Sequence, residues 1–472
     1  MTDVATGADS GTPQDRLRRV RAALAEVSQE HVLRFAEALD PQQLDGLLGQ
    51  IEGLDLPRVA RSIEAVLNEQ ASAPGQPEPP DVIELPACAE SEARDREARA
   101  AGEQALADGK VGAFLVAGGQ GTRLGFDGPK GRFPVGPLTR RSLFAYHAQR
   151  VLASCRRYGS TLPYYVMTSP ANHADTVAAF QEAQWFGLAP EQVMFLTQGT
   201  LPAIDHDGRM LLAQKHQLAL SPDGHGGCLA ALDASGALDD MAARGVEQLF
   251  YFQVDNPLAP VFDPLFIGHH LLARAQMSSK VIDKTDPGEK VGVVSRRDGR
   301  HLVLEYSDLP DALANARDPD GRLRYRAGSI AIHMFELEFV RRLLASGTGM
   351  PVHRAHKRVP YVDQQGQLVQ PGEPNAIKME LFVFDALLAA ERVVTQVVRR
   401  EDEFAPVKNA DGNDSPASAH AALVSQAKRW MSAAGREAPE GDAEVGPLYA
   451  LDCEDFAANL TLADYGPVFD RA

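Results

Sequence analysis

From residue 111 onward, short apolar runs alternate with helical segments, and this alternation constrains the fold more than any other feature of the chain. The runs 111–116 (VGAFLV), 164–167, 193–196, 249–254, 291–294 and 302–304 each have the length and composition of a strand. Segments 142–158, 172–180 and 264–275, which lie between several of them, carry apolar residues at helical spacing. Near-continuous apolar strands separated by helices specify a mostly parallel sheet covered on both faces. Ligands of such sheets bind beyond the carboxyl ends of the strands. The loops after the strands are therefore where chemistry is expected.

A chain of 472 residues is too long for one ordinary core, so more than one domain is expected. Residues 1–14 are small and polar and read as disordered. Residues 15–67 have helical periodicity, and ASAPGQPEPP at 71–80 is a Pro/Gly-rich connector. A second helical stretch, 91–107, leads into the first strand. The expected division is a helical N-terminal region (1–100), a catalytic domain (101–398) and a small, polar, helical C-terminal domain (399–472). The formal charge of −17 disfavours nucleic acid and anionic membranes as partners. The four cysteines form no C-x-x-C pair, which points to a reducing compartment. The N-terminus has neither the basic nor the apolar part of a secretory signal, and no apolar run approaches membrane-spanning length. A cytoplasmic protein is the expectation.

The loop after the first strand reads AGGQGTRLGFDGPKG (117–131), with Gly118, Gly119, Gly121 and Gly125 crowding the turn. It is not a dinucleotide fingerprint, because Leu124 stands where G-x-G-x-x-G needs its third glycine. It is not a Walker loop either, since Lys130 lies between Pro129 and Gly131. The physical logic of both still applies, for glycines let backbone N–H groups approach an anion. Between residues 114 and 142 five basic residues, Arg123, Lys130, Arg132, Arg140 and Arg141, stand against a single acid, Asp127, in an otherwise acidic chain. A small anion is the expected ligand. The sequence carries no G-x-S-x-G elbow, no H-E-x-x-H and no convincing Cys–His pairing, so a protein nucleophile is not indicated.

Further motifs follow in order: MTSPAN (167–172), QGTLPA (198–203), SPDGHGG (221–227), QVDNPL (253–258), EKVGVV (289–294), LEYSDLP (304–310), NAIKMELFVFDAL (375–387) and EFAPVKNADG (403–412). Together with the glycine loop, this series resembles the eukaryote-type UDP-sugar pyrophosphorylases over about residues 90–430, nearest the branch acting on N-acetylhexosamines. The resemblance implies a Rossmann-like nucleotidyltransferase core with a mixed, mostly parallel sheet. It also implies a Mg²⁺-dependent reaction in which a sugar 1-phosphate displaces pyrophosphate from UTP.

Both substrates are polyanions, so charge neutralisation and positioning should carry the catalysis. By resemblance, Arg123 serves the triphosphate and the departing pyrophosphate, Lys130 the α-phosphate, and Lys408 a phosphate from the C-terminal side. Gly118 and Gly119 offer backbone to uracil and ribose, Gln198 reads the uracil edge, and Gly224 lies beside the nucleotide. Asp255, just past an apolar strand, is the implied Mg²⁺ ligand; without the motif it reads as an ordinary turn residue in D-N-P. Gly292, Glu305, Phe382 and Phe384 match sugar-binding positions, although aromatic residues two apart equally suit a core.

Two positions depart from the acetylglucosamine pattern: His225 stands in P-D-G-H-G-G and Ser329 in A-G-S-I-A, where that branch has asparagine. Both are sugar-contacting positions by resemblance, so N-acetylglucosamine 1-phosphate is the expected substrate and glucose or galactose 1-phosphate the alternative. Two other classes fit less. A nicotinamide oxidoreductase has no use for the P-K-G motif. A nucleotide-binding protein without catalysis has no need to keep Arg123, Lys130, Asp255 and Lys408 together. The remaining histidines, including His269, His270, His353 and His356, read as surface or core residues.

Overall fold

The computed structural model describes residues 12–68, 75–346, 350–460 and 466–470. Most of the N-terminal tail, residues 1–11, and part of the connector, residues 71–74, lie outside the described residues. The chain forms two compact units that are not consecutive in sequence.

The smaller unit draws on segments 1–74, 199–227 and 350–382. Its helices are α1 (Pro13–Glu26), α2 (Pro41–Glu52) and α3 (Leu56–Leu67). Each starts with proline in its first turn behind a side-chain cap: Thr12 accepts from Asp15 N, Asp40 from Gln43 N and Asp55 from Arg58 N. Their apolar stripes do not form a core alone. Leu24, Leu47, Leu48 and Val66 pack with Leu201, Ile204, Met210, Leu218, Ile377 and Met379. This corrects the sequence-based division, because the helical region is completed by segments some 130 and 280 residues further along the chain. The antiparallel pair Val352–Lys357 and Ala376–Leu381 supplies the last of these segments.

The larger unit holds a sheet with nine strands among the described residues. They are β1 (Val111–Val116), β2 (Tyr164–Thr168), β3 (Val193–Thr197), β4 (Gln248–Gln253), β5 (Met277–Asp283), β6 (Val293–Arg297), β7 (Arg300–Leu304), β8 (Ala327–Glu336) and β9 (Val393–Val398). The order is β7-β6-β8-β4-β1-β2-β3, with β5 pairing β8 and β9. Strands β4, β1, β2 and β3 are mutually parallel, as are β5 and β9, while β8 runs antiparallel to β4 and β5. Helix α4 (Ala89–Ala107) packs on α7 (Pro264–Leu272); α5 (Leu143–Tyr158) and α6 (His173–Glu182) follow β1 and β2. Phe114, Phe250, Phe252 and Phe266 are fully buried, and burial of each stabilises the fold by about 1.5–3 kcal/mol.

The stretch after residue 398 contains α8 (Pro416–Ala433) and a small core of Met431, Tyr449, Phe456 and Phe469. It nonetheless belongs to the compact unit of the sheet, because Phe404, Ala405, Val407 and Leu423 enter the main core.

Candidate nucleotide and phosphate site

The carboxyl ends of β1–β4 converge because their ladders run on past the last strand residues. Ala117 N donates to Met167 O at 2.7 Å, Gln198 N to Thr168 O at 2.9 Å, and Val254 N to Val116 O at 3.1 Å. The glycine loop therefore starts beside Gln198. A side chain at Gly118 is impossible without movement, since a β-carbon there lies 2.2 Å from Gln198 Oε1. Gly118 is glycine because another group approaches its backbone, which is what a nucleotide-recognising turn requires.

The loop then folds back on itself. Lys130 N donates to Gly119 O at 3.1 Å and Gly121 N to Gly128 O at 2.9 Å. Asn172, 1% exposed, staples the turn by donating to Ala117 O at 2.9 Å and to Gly119 O at 3.3 Å. The fold-back brings Lys130 Nζ to 3.2 Å from Asp255 Oδ2, with the two side chains 15% and 14% exposed. Arg123 sits exposed on the turn Thr122–Leu124 and forms no ion pair among the described residues.

Of the other cations counted in the sequence, Arg140 is exposed and forms no ion pair among the described residues, while Arg132 and Arg141 have structural partners. Arg132 pairs with Glu182 at 3.2 Å. Arg141 is held by Glu444, whose buried carboxylate also accepts from Leu138 N, Thr139 N, Thr139 Oγ1 and Tyr146 Oη. The basic cluster counted in the sequence thus divides: Lys130 and Arg123 are available for a ligand, Arg132 and Arg141 anchor the loop.

Asp255 lies two residues beyond β4, in a turn fixed on three sides. His147 Nε2 meets Val254 O at 3.0 Å, Arg150 binds Pro257 O, and Asn256 donates to Glu403 O at 2.7 Å while accepting from Ala405 N at 3.1 Å. Burial lowers the His147 imidazole to about 3, so it is neutral. Val407 N donates to Asp255 O at 2.8 Å, which brings Lys408 to the same strand end; its Nζ lies 5.5 Å from the Phe404 ring. Among the described residues no cluster of three or more His, Cys, Asp or Glu could hold a metal. Mg²⁺ in phosphoryl transfer takes one or two protein carboxylates and completes its shell with phosphates and water. The single Asp255 carboxylate fits that demand.

A second group of expected residues also comes together in the sheet unit. Gly292 precedes β6, Glu305 follows β7 and Ser329 lies at the irregularity of β8. Ser329 N donates to Gly292 O at 2.8 Å, and a β-carbon at Gly292 would stand 3.3 Å from Glu305 Oε1. Phe384 is buried in the turn Val383–Leu388.

The smaller unit carries the remaining expected residues. Gly224 has φ +83°, and a β-carbon there would lie 2.5 Å from Leu381 O, so the G-H-G turn is fastened to the strand Ala376–Leu381. The turn stacks His225 on Phe382 with ring centroids 5.3 Å apart and planes 15° from parallel. His353, read from sequence as surface or core, stacks on the same Phe382 at 4.3 Å. Desolvation, with His353 nearby, lowers the His225 imidazole to about 4. Sequence reasoning missed His353, Asn172 and Asn256 as positioning groups. The last two stand inside quoted motifs, MTSPAN and QVDNPL; for His353 no sequence signal exists.

The family model for UTP–glucose-1-phosphate uridylyltransferase matches residues 80–459. The UDP-N-acetylhexosamine pyrophosphorylase-like protein 1 of Xenopus tropicalis is 40% identical over 442 residues, covering 89% of this chain and 85% of that protein. The UDP-N-acetylglucosamine diphosphorylase 2 of Arabidopsis thaliana is 37% identical over 431 residues, 87% and 84% of the two chains. The crystal structure of the uridine diphosphate N-acetylglucosamine pyrophosphorylase from Trypanosoma brucei in complex with inhibitor matches with a TM-score of 0.81, at 28% identity and over 98% of each chain.

Proposed function

Because the chain belongs to the UTP–glucose-1-phosphate uridylyltransferase family, we propose that it joins UTP and N-acetylglucosamine 1-phosphate to give UDP-N-acetylglucosamine and pyrophosphate. The observation that carries this reading is the approach of Lys130 to Asp255 at the end of the parallel strands. A cation and a carboxylate meet there beside a turn whose Gly118 lies against the Gln198 amide.

In this reading the phosphate oxygen of the sugar attacks the α-phosphorus of UTP in line, and pyrophosphate leaves. Lys130 sits against the α-phosphate and Arg123 gathers the β- and γ-oxygens, two cations suited to a point charge and a forked contact respectively. Lys408 adds charge from the C-terminal side. Gly118 and Gly119 present backbone to the base and ribose, and Gln198 reads the uracil through its amide. Asp255 holds Mg²⁺, which when bound neutralises phosphate charge and aligns the reacting oxygens. In the sheet unit the sugar is met by Gly292, Glu305 and Ser329; burial of Phe384 favours a core role for that ring. No acid–base residue is required, since the nucleophile is already an anion. The setting we propose is the cytoplasm, supported by four cysteines that are all free thiols.

A second reading, with glucose or galactose 1-phosphate as substrate, is favoured by His225, which presents a flat neutral ring where the acetamido-specific branch presents an amide.

The test is pyrophosphate release by Lys130→Ala and Asp255→Asn variants across a Mg²⁺ titration. We expect Lys130→Ala to lose about 10²–10³-fold in kcat, and Asp255→Asn to need far more Mg²⁺ for half-maximal rate. Full turnover by Lys130→Ala, or an unmoved Mg²⁺ dependence, would overturn these assignments.

A further inference from the structure

A cavity of about 610 Å³ opens within the sheet unit, among α4, α5, α8, residues 258–265 and the stretch 396–403 that leaves β9. It is the size of a small-molecule site, and none of the residues assigned above to substrate, phosphate or metal lines it.

Its lining carries five arginines and five carboxylates, yet they are not all paired with one another. Arg157 is paired with Asp452 and Arg429 with Asp402, both at 2.7 Å. Asp263 and Glu403 both bind Lys280, at 2.6 Å. Arg99, Arg150 and Arg399 also line the cavity, and none of the three forms an ion pair among the described residues. Arg150 decides the matter. It is only 8% exposed, donates to the Pro257 carbonyl and lies 5.7 Å from the Tyr146 ring, with another arginine, Arg141, as its charged neighbour. A buried guanidinium without a counter-charge is costly, and a cavity at its side lets an anion complete it. Trp430, Tyr158 and Leu258 give the same cavity an apolar wall.

We propose that this cavity binds a small organic anion, its acidic group on Arg150, Arg99 and Arg399 and its apolar body against Trp430, and that its occupancy regulates the Asp255 turn. The route is short. Arg150 holds Pro257 O, Asn256 bridges to Glu403 O and Ala405 N, and Val407 N holds Asp255 O. Two lining residues, Arg150 and Glu403, thus hold Pro257 and Asn256, which directly follow Asp255, and a ligand that draws on Arg150 or residues 399–403 acts on that turn. The regulatory half rests on the function proposed above; the binding half does not.

The probe is 8-anilinonaphthalene-1-sulfonate, an aromatic anion, titrated into the full chain. We expect one probe bound per chain, with energy transfer from tryptophan that falls in Trp430→Phe and persists from Trp185 only weakly. The Arg99→Ala/Arg399→Ala double variant, checked for unchanged thermal unfolding, should bind about tenfold more weakly. Saturating probe should shift KM for UTP at least about twofold in the wild type and not in the double variant. Equal affinity of the double variant, or transfer unaltered by Trp430→Phe, would overturn the site. Binding without any change in KM would overturn the regulation. Binding is read without turnover, so a chain that holds the probe but releases no pyrophosphate contradicts the proposed function and leaves the site standing.

Discussion

Lys130 and Asp255 are 125 residues apart in sequence and 3.2 Å apart in space. Each could be singled out from its own motif, but their meeting could not, because it depends on the fold-back of residues 119–130 and on the strand order that seats β4 beside β1. Arg141 shows the converse: its charge was legible and its partner, Glu444, was not. At the proposed sugar position His225 is the informative residue. Its ring is neutral at pH 7 and flat against Phe382, a surface without the amide donor and acceptor of an asparagine. A polar site that trades one hydrogen-bonding geometry for another changes selectivity more than affinity for the shared parts of a substrate. His225→Asn should therefore raise the ratio of rates with N-acetylglucosamine and glucose 1-phosphates by about tenfold. A ratio that stays within about twofold takes His225 out of sugar recognition.

Among the elements, sequence periodicity recovered the strands of the parallel centre, β1 to β4, where buried apolar residues dominate, and the overlapping parts of the antiparallel pair β6 and β7. Strands β5, β8 and β9 were not anticipated. MSSKVID of β5 has no apolar run, because Ser278, Ser279 and Lys280 are buried by pairing: Ser279 Oγ with His333, and Lys280 with Asp263 and Glu403. Periodicity is blind to polar residues whose partners come from elsewhere. The anchor of the basic loop is of the same kind. Burial raises the Glu444 carboxyl, but hydrogen bonds from Thr139, Leu138 and Tyr146 outweigh it and hold the group below its ordinary value. Its contribution to stability is thus present above the unfolded-state value and lost as pH falls through the folded one. Glu444→Ala leaves two backbone donors and the Thr139 and Tyr146 hydroxyls without their acceptor, leaves Arg141 with Asp470 alone, and should destabilise by about 2–3 kcal/mol. Thermal unfolding measures this, and an unchanged midpoint would show that the loop does not depend on Glu444.

For the whole molecule, the α/β class and the place of the glycine loop at the carboxyl ends of the strands were legible from alternation alone. The division into units was not, since segments 199–227 and 350–382 leave the sheet unit to join the N-terminal helices, and no linker composition marks those exits. Two fully buried histidines give the molecule a predictable weakness to acid. Burial holds His147 and His270 at about 3, below the unfolded value of about 6.5. Both are neutral in the native state, so the stability they allow is complete above pH 6.5 and drains away as pH falls toward 3. Each should weaken the fold by about 2 kcal/mol between pH 7 and pH 5; a melting temperature flat over that interval would contradict it. The most direct measurement of the central claim is pyrophosphate release from UTP and Mg²⁺ with four sugar 1-phosphates: N-acetylglucosamine, N-acetylgalactosamine, glucose and galactose. Fastest release with N-acetylglucosamine 1-phosphate is the predicted result. No release with any of the four would contradict the account.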